Sequence, residues 1–468
     1  MRSYSDLFRT REFTPLFLST SLQTAASTVG ALALGTLVYR ATDSPLLSAV
    51  SMFGPQLAQV VGATTLLSAA DRLPPRATMT GIACAFAAGT AAMAVPGLPV
   101  GGVFALVLLL GLVQSLGGGV RWGLLNEVLS KEGYLLGRSL FNMMSGLMQI
   151  VGYATGGVLV AVLSPRTALL TASALYLAAA VGIRLGLTRR APRTAGRPSV
   201  AQTWRTNALL WSSPPRRRTY LLLWIPNGLV VGCESLYVPF APDRAGALFA
   251  CAAFGMFVGD VTTGRLLPPA LRRRLSIPLL LLLATPYLLF ALRPAVPVAA
   301  VCVAVASIGF SASLVQQERL MTLTPDELAG HALGLHSAGM LTMQGASAAL
   351  AGAVAQLTAP GVAMTVMAAA SVGVTLTLSA RRRHSRDGLA ALAAAGAKSG
   401  GEAARRGAGD RPVPGRRGGV PDREGPGRDR LGRHASLPCG SFAGDGTTAV
   451  DSRGSADGCA CGAGPPSP

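Results

Sequence analysis

Ala70-Asp71-Arg72-Leu73-Pro74-Pro75-Arg76 interrupts two long apolar runs, 45–70 before it and 77–95 after it. An acid, two arginines and a proline pair do not continue a helix through hydrocarbon, and each flanking run has about the ~20 residues that cross a bilayer. The stretch has an echo. A shift of 193 positions (265 minus 72) carries Arg72 onto Arg265, Leu73 onto Leu266 and Pro75 onto Pro268. The same shift carries Gly62 onto Gly255, Gly137 onto Gly330, Leu140 onto Leu333 and Gly146 onto Gly339. One displacement relating two separate regions favours duplicated halves over unrelated helices.

Outward from this point the chain reads as twelve apolar spans: 14–39, 45–70, 77–95, 100–121, 138–163, 166–187, 219–241, 245–266, 276–292, 295–317, 332–357 and 361–380. Half of the 468 residues are hydrophobic and the mean hydropathy is +0.45, which disfavours a soluble enzyme. Every second connection carries arginine clusters, among them Arg189, Arg190, Arg193 and Arg197, Arg216 to Arg218, Arg272 to Arg274 and Arg381 to Arg383. The alternate connections hold only Arg40, Arg166, Arg244 and Arg293. By the positive-inside rule this predicts an inner (plasma) membrane protein, multi-pass, with both termini cytoplasmic. The net charge of +20 is then a topology signal and a contact to membrane lipid, and no nucleic-acid partner is expected. The first span lacks a small-residue cleavage pattern, so it is expected to stay as a helix. Cys84, Cys233, Cys251 and Cys302 lie in apolar spans and are expected as packing residues.

These features predict an all-α integral membrane fold: a six-helix half over 1–187, a cytoplasmic inter-half loop over 188–218, a second six-helix half over 219–383, and a disordered tail over 384–468. The loop carries Trp204, Leu209, Leu210 and Trp211 among polar residues. That suits either a short amphipathic helix at the membrane surface or a plain linker. The tail is poor in aromatic residues, and its composition suits a run-on reading of a GC-rich gene.

Polar residues are unevenly shared. Spans 3, 6, 9 and 12 lack Asn, Gln, His and acids, which predicts lipid-facing helices. Elsewhere lie Gln23, Gln56, Gln59, Gln114, Asn142, Gln149, Asn227, Glu234, Asp260, His336 and Gln344. Polar groups at membrane depth face protein or a wet cavity, so the remaining helices are expected to enclose one.

The 70–76 stretch resembles the cytoplasmic loop signature of the major facilitator superfamily, G-x-L-A-D-R-x-G-R-[KR]. Here Leu67 replaces the leading glycine, Pro74 the central glycine and Pro75 the following position. The resemblance implies twelve helices in two pseudo-symmetric halves, with Asp71, Arg72 and Arg76 locking a cytoplasmic gate. Acids near helix N-termini and bases near C-termini suit such a role. Asp260 and Arg265 form the expected second-half counterpart. Gly152-Tyr153-Ala154-Thr155-Gly156-Gly157 is similar to the end of the superfamily's antiporter signature, with Tyr153 in place of proline. Small residues there equally let helices approach closely.

Glu234 is the acid placed deepest in a span. A carboxyl that meets water on alternate sides can carry a proton across, whereas a helix ending near Val238 to Pro239 would leave it close to water. His336 is either a second proton relay or an interhelical hydrogen-bond partner. Asn142, Gln149 and Tyr153 recur at i, i+7 and i+11 on one helix face, and Asn227 shares a face with Glu234. With Gln23 and Gln344 they are the substrate candidates, and interhelical bonds would produce the same pattern.

The loop expected between spans 4 and 5, Arg121-Trp122-Gly123-Leu124-Leu125-Asn126-Glu127, and the start of span 5 resemble those of bacterial drug and siderophore exporters, and the resemblance implies secondary active transport by alternating access: proton-coupled export of a small amphipathic compound, neutral or weakly cationic. The partners are then a small-molecule substrate and protons. Uptake of another solute, or a transport-inactive scaffold or sensor using the basic loop and tail, are the alternatives. No clustering of His, Cys and carboxylates points to an enzyme, a cofactor or a metal.

Overall fold

A computed structural model describes residues 4–70, 74–129, 131–190 and 200–380. Among these residues the secondary structure is entirely helical. A short α1 (Tyr4–Phe8) precedes α2 (Phe13–Thr42), α3 (Pro45–Ala70), α4 (Pro75–Met93), α5 (Val100–Val128), α6 (Lys131–Val162) and α7 (Pro165–Gly186). Helix α8 (Val200–Ser212) leads to α9 (Pro214–Glu234), α10 (Tyr237–Phe240), α11 (Ala245–Val261), α12 (Pro269–Ala284), α13 (Val296–Ile308), α14 (Ala312–Thr322) and α15 (Ala329–Leu357). The last described helix is α16 (Pro360–Ala380). Among the described residues eleven segments, some spanning two of these helices, are long and apolar enough to cross a membrane. Helix α4, with 19 residues, is less apolar and packs against α5 and α7.

Proline and small polar residues set the helix starts. Pro75, Pro165, Pro214 and Pro269 stand in first turns, where the missing N–H would have had no intrahelical acceptor. Ser164 Oγ adds a cap to α7 by accepting the Thr167 N–H at 3.0 Å. The repeat seen in the sequence has a local counterpart, since each of its two proline-bearing stretches opens a helix. Its register slips by one residue: Pro75 begins α4, whereas Pro268 caps α12 and Pro269 begins it. A π-helical turn over Thr262–Leu266 closes the preceding helix in the second half.

Several boundaries differ from the sequence expectation. Helices α5 and α6 approach within a few residues, so Arg121 to Glu127 is helical and not a loop. Span 7 breaks at Glu234, ahead of Pro239, and resumes as α10. The inter-half helix forms as α8, with Leu210 buried, Trp204 and Leu209 exposed, and Trp211 stacked on Trp224 with ring centroids 5.6 Å apart.

Within the first half, α2 packs against α6 and α7, and α3 against α5. The halves meet along two seams, α3 with α15 and α6 with α11. A large apolar cluster crosses between halves, joining Leu32 and Met52 to Tyr237, Phe249 and Tyr287.

Candidate functional site

A cavity of about 380 Å³ lies among α2, α3, α4, α5 and α7, with Tyr153 of α6 at its wall. Close packing of α3 on α5 shapes it. A Cβ on Gly111 would stand 2.8 Å from the Ala58 Cβ, so only glycine lets these helices approach this closely. The approach brings Gln56 and Gln59 of α3 to the same space as Gln114 of α5 and Gln23 of α2. The Gln56 side-chain oxygen is buried without a protein hydrogen-bond partner, an arrangement costly unless water or ligand completes it. Phe53, Phe86 and Tyr176 supply aromatic wall, with the Phe86 and Tyr176 rings 5.2 Å apart. Arg121 is the one formal charge among the described lining residues.

Two expectations are thereby modified. Spans 3 and 6 are not purely lipid-facing, because Phe86 and Thr90 of α4 and Tyr176 of α7 line the cavity. The described lining also comes from the first half and not from both. Of the substrate candidates, Gln23 and Tyr153 line this space, whereas Asn142, Gln149, Asn227 and Gln344 do not. Asn142 is exposed and Gln149 half-buried on α6. Asn227 borders a small separate gap beside Gln316.

Glu234 ends α9 and is 6% exposed. The early helix break therefore does not release it to water, since Ser235, Leu236, Tyr237 and Val238 are buried around it. One of its carboxyl oxygens has no hydrogen-bond partner among the described residues. The carboxyl lies within electrostatic reach of the Tyr153, Tyr237 and Tyr287 hydroxyls. Tyr237 and Tyr287 share a hydrogen bond. Phe249 stacks on Tyr153 with centroids 4.7 Å apart and meets Tyr237 edge-on at 4.8 Å. Tyr153 therefore touches both the cavity and the aromatic nest around Glu234. His336 lies apart from this group on α15, buried, with Nδ1 unpartnered and its carbonyl accepting from Trp224 Nε1 at 3.1 Å.

The face that carries the N-terminal arm holds a polar cluster centred on Glu12, a residue that the sequence reading did not single out. Arg190 Nη2 is 2.8 Å from Glu12 Oε2, and its Nε is 3.8 Å from Glu127. Thr188 donates its N–H to Glu12 Oε1 at 3.2 Å and its hydroxyl to the same oxygen. On this face Arg76 donates to the Arg184 carbonyl, one of the last carbonyls of α7, which lack intrahelical donors. Asp71 and Arg72 lie outside the described residues. The expected Asp260–Arg265 pair is not formed. Asp260 is exposed, and Arg265 Nη2 reaches across the halves to Met143 Sδ at 3.3 Å.

The opposite face is where the halves close. Arg40 meets Asp243 at 3.4 Å, and Ser44 Oγ donates to Gln356 Oε1 at 2.9 Å. Gly157 of α6 lies directly on Gly246 of α11, where a Cβ on Gly157 would stand 2.8 Å from the Gly246 Cα. Gly152 and Gly156, from the same signature-like stretch, lie against Thr28 and Val29 of α2. Close helix approach is what these glycines do here.

Residues 16–339 match the family model of the Major Facilitator Superfamily. No curated protein matches the chain. Among solved structures, the nucleoside transporter NupG is similar with a TM-score of 0.62 at 13% identity, covering 78% of this chain and 98% of that one. The peptide transporter POT in complex with sulfate gives 0.63 at 13% identity, covering 82% and 99%. A bacterial homologue of the human lysosomal transporter Spinster, inward-facing and unoccupied, gives 0.57 at 13% identity, covering 81% and 96%. At these identities the likeness is one of fold.

Proposed function

The chain belongs to the major facilitator superfamily, and from that premise we propose that it exports a small amphipathic compound across the plasma membrane in exchange for protons. The observation that carries this reading is the placement of Glu234: a buried carboxyl, one tyrosine away from the cavity. A carboxyl sealed from water in one conformation and hydrated in another takes up and releases a proton as the halves rock. Tyr153 stands where a ligand in the cavity would alter that hydration. The exporter branch, drug- and siderophore-like, rests on the resemblance of the 121–127 stretch, with the amphipathic lining of the cavity beside it.

With both termini cytoplasmic, as the arginine distribution indicates, the closed face is external and the cavity loads from the cytoplasm. Arg76, Arg265, Asp260 and the Glu12–Arg190–Glu127 cluster then stand at the cytoplasmic gate, to which the sequence also assigns Asp71 and Arg72, and charge contacts there can break and reform between states. Lipid headgroups are the partners of the exposed arginines at this level.

The test is accumulation of fluorescent amphipathic compounds in cells expressing wild type or Glu234→Gln, with and without an uncoupler. Lower accumulation in wild type, lost in the variant and in uncoupled cells, is the expected result. Higher accumulation in wild type would point to uptake, and equal accumulation throughout would overturn export.

A further inference from the structure

We propose that the second half holds a Na+ site in the gap where α9, α12 and α14 meet, formed by the side-chain oxygens of Asn227 and Gln316 and the main-chain carbonyl of Leu222. These three residues line one gap, which has no room for a water molecule. Asn227 is 7% exposed and Gln316 1% exposed, and neither Asn227 Oδ1 nor Gln316 Oε1 has a hydrogen-bond partner. Gln316 Nε2 donates to Ser276 Oγ at 2.8 Å, an anchor on α12 that leaves the amide oxygen unpaired. The third oxygen comes from a break in helical bonding. Pro226 lies inside α9 and has no N–H, so the Leu222 carbonyl lacks its usual donor four residues on. Ser313 brings a hydroxyl to the same wall.

Buried acceptors without donors are costly, and oxygens gathered on one gap call for a positive partner. Water cannot serve, because it does not fit. Carbonyl oxygens can take the place of an alkali ion's hydration shell, and interrupted helices are where transporters present such oxygens. Here Pro226 interrupts α9, and a 3-10 turn over Gly309–Ser311 separates α13 from α14 beside the gap. No acid stands among the described residues of the wall, so a divalent ion would leave most of its charge uncompensated away from water. Stripped of its hydration shell, Na+ is smaller than a water molecule and K+ is about as large as one, so a gap closed to water favours Na+. The ion ties α9 to α14 seven positions (234 minus 227) ahead of Glu234. Neither the direction of transport nor proton coupling at Glu234 bears on this site.

The experiment uses the full chain purified in detergent and dialysed into choline chloride. NaCl or KCl then replaces choline chloride at constant ionic strength, and binding is read as the shift in unfolding temperature. NaCl should raise that temperature saturably, and KCl should leave it where choline chloride does. Ser313→Ala should raise the half-saturating NaCl concentration about tenfold, as the loss of one oxygen held to a charge. Asn227→Leu and Gln316→Met should abolish the shift. If those two fail to fold, the wild-type comparison still tests the ion and Ser313→Ala, a small change at a half-buried residue, still tests its place. An unfolding temperature indifferent to Na+, as expected if Asn227, Gln316 and Ser276 only bond to one another, would overturn the proposal. So would equal shifts from Na+ and K+, a half-saturating concentration unchanged in Ser313→Ala, or a full Na+ shift in either of the other variants.

Discussion

Replacing Gly157 by alanine should hold the external face open. The added Cβ would lie 2.8 Å from the Gly246 Cα and 3.4 Å from its carbonyl carbon. Both are backbone atoms, so no rotamer change relieves the contact. Ordinary carbon contacts begin near ~3.5 Å, which requires α6 and α11 to part by about 0.7 Å. Overpacking of this kind costs about 1–3 kcal/mol, and it falls on the closed-outside state alone if the two glycines separate when that face opens. The equilibrium should therefore shift roughly 5- to 150-fold toward the externally open state. A cysteine introduced at Ser44, beside Gln356 on the closed face, reports this in a background without the native cysteines. Its labelling by an impermeant maleimide in intact cells should accelerate by about that factor in Gly157→Ala. Unchanged labelling in a well-folded variant would refute the view that this glycine contact seals the outer face.

Three further outcomes follow from named contacts. Arg40→Ala should change the same labelling less than about fivefold, because exposed ion pairs contribute ~0–1 kcal/mol and this pair is 44% and 82% exposed. Glu12→Gln should lower the unfolding temperature in detergent, corresponding to about 1–3 kcal/mol, since it takes one charged partner from Arg190 and leaves Glu127 3.8 Å away; no loss would show the cluster to be solvated. Tyr287→Phe should destabilise by about 1–3 kcal/mol by stranding the Tyr237 hydroxyl. Adding Tyr237→Phe should recover part of that loss, and strictly additive losses would contradict the pairing.

The helical membrane architecture was legible because hydrocarbon demands long apolar helices and leaves proline and arginine to punctuate them. Details that depend on packing were not. Arg121 carries the signature of a cytoplasmic helix end, and only the extension of α5 to Val128 brings it to the cavity. Phe86 and Tyr176 were invisible as cavity residues because an apolar wall and a lipid-facing surface have the same composition. Glu12 lies close to Arg9 and Arg11 in sequence, so its burial against Arg190 from a connection 178 positions away (190 minus 12) could not be read locally. Glu234 stood out as an acid in an apolar run. Its neighbours Tyr153, Tyr237 and Tyr287 come from distant segments, and no periodicity relates them.

The most direct test of the central claim is transport by the purified full chain in proteoliposomes, comparing wild type with Glu234→Gln under an imposed pH gradient and in exchange between equal pools of substrate. The account predicts that wild type concentrates substrate against its gradient when the pH gradient is present. Glu234→Gln should lose that concentration and keep gradient-independent exchange. Uphill transport by Glu234→Gln equal to wild type would contradict it.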